Sequence, residues 1–184
     1  MNYSKEDVKE IVDRLFEVAK HTIERDKGHE PIAFAFQPIG TTLILDLSDI
    51  MEAAEEEFRR GHTNAGYATK DLMANMIRQF LSEKGSVGII TITEMWVKKF
   101  ERHEVAGGDQ PGMSGILTSA RHAPDRQEAL GITWEFKMAD GTKESGIRDV
   151  IFTREGKGED EKIVFGKDTS YGTTGEGRLT NFLG

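Results

Sequence analysis

Cysteine is absent from the 184 residues, and proline occurs only four times. Without a thiol the chain cannot be a disulfide scaffold, a zinc ribbon, an iron–sulfur protein or a cysteine-nucleophile enzyme. Long apolar runs are also missing. The most apolar stretch, Val87-Gly-Ile-Ile-Thr-Ile-Thr93, is far shorter than the roughly 20 residues of a membrane helix. The opening MNYSKEDVKE is charged from the start and shows no secretory h-region, so a cytoplasmic protein is expected. A basic excess is lacking as well: Lys plus Arg is 24 against 32 Asp plus Glu, a net charge of −8. That balance repels a phosphate backbone, and neither a nucleic acid nor a membrane is expected as partner. The nearest approach to a basic patch, Lys98-Lys99 and Arg102, is interrupted by Glu101 and Glu104.

Apolar residues nevertheless recur in order along most of the chain, and its length suits one domain with a genuine core. Val8, Ile11, Val12, Leu15, Ala19 and Ile23 follow the helical period, with charged residues opposite. Ser4 and Asp7 form the pattern of a capping box, Tyr3 and Val8 that of a hydrophobic staple, and Gly28 is the expected stop. The charged face of this amphipathic helix, residues 1–28, is expected to be solvated. Pro38 and Gly40 separate two apolar runs, 31–36 and 41–46, which reads as a hairpin. A helix from Asp49 to Arg60 and another capped by Thr69 should follow. The second carries the stripe Leu72, Met73, Met76, Ile77, Phe80 and Leu81 and stops at Gly85. Its methionines could serve an adaptable surface, but packing on a sheet is the simpler role.

The stretch 86–97 is apolar on both faces through Ile92, as in a central strand covered on both sides. No period is visible from Glu101 to Asp125, which reads as a long loop. Glu128 to Met138 alternates cleanly, and Asp140-Gly141 supplies a turn. A two-residue turn there pairs Trp134 with Ile147. It also sets Asp149 opposite Ile132 on the apolar face, where a carboxylate is costly. A bulge near Ser145-Gly146 is therefore expected, moving Val150 and Phe152 inward. A last short strand, 162–165, follows. The expectation is a single α+β domain over 1–184: an antiparallel or mixed sheet of about six strands, packed by the N-terminal helix and two inserted helices.

Motifs for chemistry are sparse. There is no phosphate-binding P-loop, and the glycines of 172–178 have the wrong spacing for a dinucleotide fingerprint. Gly112-Met-Ser114-Gly-Ile116 lacks the second glycine of a hydrolase elbow. The histidines 21, 29, 62, 103 and 122 show no ligand spacing, so no metal or cofactor is assigned. What stands out is Glu94, late in the central strand and on one face with Ile90, Ile92 and Trp96. Desolvation there raises a carboxyl pKa unless a cation such as Arg121 or Arg126 pairs with it. With Asp125, Arg126 and Glu128 in the next segment, Glu94 and Trp96 complete the candidate cluster.

The apolar strand 32–36, Thr93-Glu-Met-Trp96, Pro124-Asp-Arg-Gln-Glu-Ala-Leu130 and Gly177-Arg-Leu179 together resemble a group of small uncharacterised bacterial and phage proteins. The resemblance spans about residues 30–184 and leaves the charged first helix outside. That group has no established activity, so the resemblance implies no catalytic role. The leading expectation is a non-enzymatic cytosolic binding or assembly module, its partner an unknown protein or a second copy. Self-association would use an exposed strand edge or the Met-rich helix. The alternative is an enzyme using Glu94 with Asp125 or Glu128, including metal-assisted forms of that chemistry.

Overall fold

A computed structural model describes residues 3–38, 40–60, 67–97, 126–171 and 182–183. The 101–125 segment, Asp125, the Ser114 motif and the glycines of 172–178 lie outside the described residues. Helix α1 (Lys5–Asp26) starts as its sequence requires: Ser4 Oγ accepts from Asp7 N, and Asp7 accepts from Ser4 N, completing the capping box. Its left-handed terminal residue is Lys27, at φ 61°, rather than Gly28. Lys27 N–H donates back to the Ile23 carbonyl at 2.9 Å. Such a residue needs a reason to accept the left-handed region, and its carbonyl supplies one below.

Among the described residues six antiparallel strands form one sheet in the order β2-β1-β3-β4-β5-β6. They are β1 (Ile32–Phe36), β2 (Thr42–Asp46), β3 (Gly88–Val97), β4 (Gln127–Lys137), β5 (Lys143–Glu155) and β6 (Lys162–Tyr171). Helices α2 (Leu47–Arg59) and α3 (Tyr67–Lys84) are inserted between β2 and β3. The second therefore begins before Thr69. It ends as expected: Gly85 is left-handed at φ 63°, Ser86 N–H reaches the Leu81 carbonyl and Gly85 N–H that of Ser82. Among the described residues, no helix is long and apolar enough to cross a membrane.

The sheet divides two cores. On one face Val8, Val12, Phe16, Ala19 and Ile23 of α1 pack with Phe36, Ile90, Ile92, Leu130, Ile132, Phe136, Val150 and Phe152. On the other, Met73, Ala74, Ile77 and Leu81 of α3 and Leu47 and Ala54 of α2 pack with Ala33, Ala35, Leu45 and Ile89. Strand β3 is thus doubly covered, as its unbroken apolar run requires, and the α3 stripe faces the sheet. Burying each large apolar side chain is worth about 2 kcal/mol, so both layers are strongly held.

The β4–β5 pairing corrects the expected bulge. Pairing is unbroken from Lys137↔Lys143 to Glu128↔Phe152, with Trp134 opposite Gly146 and Ile132 opposite Arg148. The register is set in the turn. Met138 N–H bonds to the Thr142 carbonyl and Gly141 N–H to that of Met138, with Gly141 at φ 82°. The extra residue is absorbed there, in a three-residue loop with a left-handed glycine. Asp149 consequently faces away from the α1 core, opposite Gly131, while Val150 and Phe152 still point inward. A side chain at Gly146 would meet the Trp134 ring at 2.2 Å, so that glycine makes room for the indole. A bulge does exist, but between β5 and β6: Val150 pairs Asp168 and Phe152 pairs Phe165.

Candidate functional site

Period two places Glu94 on the α1 face, two residues beyond Ile92 and past the end of the apolar core. The same end of the sheet receives Glu128 from the start of β4 and Arg154 from the end of β5. Arg154 is the centre of this cluster. Its Nε donates to Glu128 Oε2 at 2.8 Å, its Nη2 to Glu94 Oε2 at 3.3 Å and its Nη1 to Glu161 Oε1 at 3.2 Å. Nη1 also donates to the Lys27 carbonyl at 2.6 Å. The left-handed Lys27 thus turns its carbonyl onto a cation at the negative end of the α1 dipole. Beneath, the guanidinium stands 5.3 Å from the Phe152 ring centroid, within cation–π range. The other oxygen of Glu94 accepts from His29 N–H at 2.5 Å, while His29 Nδ1 is buried without a hydrogen-bond partner among the described residues.

Three carboxylate side chains, each roughly a quarter exposed, therefore share one guanidinium. Burial works to lower the Arg154 pKa. The hydrogen bonds to Glu128 and Glu161 and the charges of Glu128 and Glu94 outweigh it and hold the group above its ordinary value. Arg154 is a permanent cation, and its carboxylates are spent on it. Chemically the arrangement is a clamp: it fastens the end of α1, β3, β4, β5 and the turn before β6 at one point.

Of the expected cluster, the structure brings together Glu94 and Glu128. Among the described residues the cation between them is Arg154; of the two arginines expected there, Arg121 lies outside the described residues. Arg126 is exposed just before β4. Trp96 pairs with Glu128 through the backbone register, and its side chain lies outside the described residues, as does Asp125. Arg154, Glu161 and the Lys27 carbonyl were missed by sequence reasoning. One signal was available for Arg154: it stands two residues after the inward Phe152, on the same face as Glu94.

Two further polar clusters flank the cores. Arg148 Nη1 donates to Asp13 Oδ1 at 2.9 Å and Nη2 to Asp168 Oδ2 at 2.6 Å, with the guanidinium 4.4 Å from the Phe16 ring centroid. The charged face of α1 is therefore partly engaged by the sheet rather than wholly solvated. On the opposite face, the buried Glu135 accepts from Phe182 N–H at 2.8 Å and Leu183 N–H at 3.1 Å. Among the described residues, no group of three or more His, Asp or Glu side chains is arranged to hold a metal ion.

No curated protein and no solved structure gives a significant match to the chain. The family described as bacteriophage lambda protein ea47 does match, over residues 1–158. That span takes in α1, which the sequence resemblance had left outside, and it includes every anchor of the Arg154 clamp except Glu161. With the match covering most of its length, the chain belongs to the bacteriophage lambda protein ea47 family.

Proposed function

We propose that this protein is a non-enzymatic cytoplasmic binding or assembly module. The observation that supports this reading is the occupation of Glu94 and Glu128 by Arg154. An acid–base pair needs a carboxyl free to exchange a proton with a substrate. Here both carboxylates are bound to a permanent cation that also grips Glu161 and the end of α1. Such a group stiffens one end of the sheet, which suits a scaffold that presents its surface to a macromolecular partner.

Native mass spectrometry of the full chain, purified without denaturant from bacterial cytosol, tests the reading. A stoichiometric complex with another protein or with further copies of itself is expected. The complex should persist in the Glu94→Gln/Glu128→Gln double variant, whose defect should be a lower melting temperature. A chain that remains single under all native conditions, with no bound protein, overturns the proposal.

A further inference from the structure

The sheet has two edges, and they are built differently. Edge strand β6 carries Lys162 and Lys167, and a bulge opposes Gly166 and Lys167 to the single residue Ile151. Charge and irregular pairing are the usual means of keeping an edge from accepting another strand. Edge strand β2 has no irregular pairing, and its single charge stands at its last residue. Its sequence Thr-Leu-Ile-Leu-Asp contains no lysine and no proline, it pairs with β1 without a register shift, and Ile44 at its centre is 67% exposed.

The hydrogen-bond pattern shows which groups face outward. Gln37 N–H bonds to the Thr41 carbonyl and Leu47 N–H to the Pro31 carbonyl, at the two ends of the β1–β2 ladder. In an antiparallel pair the bonded positions alternate. Leu43 and Leu45 therefore bond to β1, while Thr42, Ile44 and Asp46 turn their backbone groups to the open edge. No described strand lies beyond them.

We infer that β2 pairs with β2 of a second copy, antiparallel and centred on Ile44, joining two sheets into one. This deepens the module reading and rests on it. The strand is complementary to itself in that one register. Ile44 meets Ile44 of the partner subunit on the two-fold axis, and the two outward backbone groups there exchange bonds. Asp46, the strand's one charge, falls opposite Thr42 rather than opposite its own copy. Moving the register by two residues instead sets Asp46 against the apolar Ile44. The exposed isoleucine becomes a cross-strand pair, the unit that stabilises a sheet. Five paired residues make a contact at the small end of specific interfaces, below about 1,200 Å². The dimer should therefore dissociate on dilution. Each copy carries −8, so added salt should strengthen the pairing by screening.

Sedimentation equilibrium of the full chain over a wide concentration range tests this. The expected mass rises with concentration from 20.6 kDa towards twice that value, and rises sooner in added salt. Ile44→Lys, which sets two charges on the axis at an exposed site, should keep the wild-type circular dichroism and melting curve and weaken association at least tenfold. Val164→Lys, at an exposed residue of β6, should associate like the wild type. A monomer at every concentration, or a dimer indifferent to Ile44→Lys, overturns the inference. If that monomer still forms a stoichiometric complex with a different protein, β2 self-pairing fails while the module reading stands.

Discussion

Arg154 gathers more of this molecule than any other described side chain. It bonds three carboxylates and the carbonyl of Lys27, which follows α1. Replacing it with methionine keeps an apolar stem over Phe152 and deletes the donors, leaving Glu94, Glu128 and Glu161 to face one another. Breaking a fully buried ion pair costs about 3–5 kcal/mol. Because these side chains are about a quarter exposed, solvent screening reduces the expected loss for Arg154→Met to roughly 2–3 kcal/mol. Urea denaturation measures it, with Glu161→Gln as a milder comparison. A midpoint indistinguishable from wild type would show that the clamp carries no stability. Glu94 was legible in the sequence because a charge among apolar neighbours on one strand face stands out. Its cation was not. Arg154 follows Glu94 by 60 residues, and only the registers of β3 with β4 and of β4 with β5 bring them together.

Helix α1 shows how far local chemistry determines an element. Its start, its buried stripe and its amphipathic character all follow from residues within one turn of each other. The cap also gives it a pH dependence. The backbone N–H of Ser4, then its hydroxyl, hold the Asp7 carboxyl below its ordinary value of 3.8. A carboxyl whose pKa is depressed by folding stabilises above the unfolded value and loses that contribution as pH falls through the folded one. Asp7→Ala should therefore melt below the wild type at neutral pH. The gap in melting temperature should close on acidification below 3.8. A gap that stays constant into strong acid would place the effect of Asp7 elsewhere than in its charge. The other end of α1 was less legible. Gly28 looked like the stop, but Lys27 takes the left-handed conformation and its carbonyl is held by a distant arginine. The hairpin at Asp140-Gly141 behaves alike: its turn residues were plain, yet the register depended on a three-residue loop that Asp-Gly alone does not distinguish from a two-residue one.

Across the whole molecule the two cores must be closed at their margins, and Glu135 does this on the α2/α3 face. It is 5% exposed and accepts the backbone N–H groups of Phe182 and Leu183, which are themselves buried there. Glu135→Gln offers one acceptor oxygen and turns donors toward the other N–H. A buried amide left unpaired costs about 1–3 kcal/mol. The variant should show faster hydrogen exchange at the Phe182 and Leu183 amides and a lower denaturation midpoint. Unchanged protection at both amides would mean that apolar packing alone holds this end in place. Sequence alone determined the class of fold, the helix stripes, the turn residues, the doubly covered β3 and the place of Glu94 on an otherwise apolar strand face. These depend on periods of two and 3.6 and on capping chemistry, all of which act between residues near in the chain. Tertiary structure decided the strand order, the β4–β5 register, the choice of Arg154 as the cation for Glu94, the burial of Glu135 and the contrast between the β2 and β6 edges. Those depend on which strands lie side by side, and antiparallel pairing joins residues across tens of positions through backbone groups that every sequence shares.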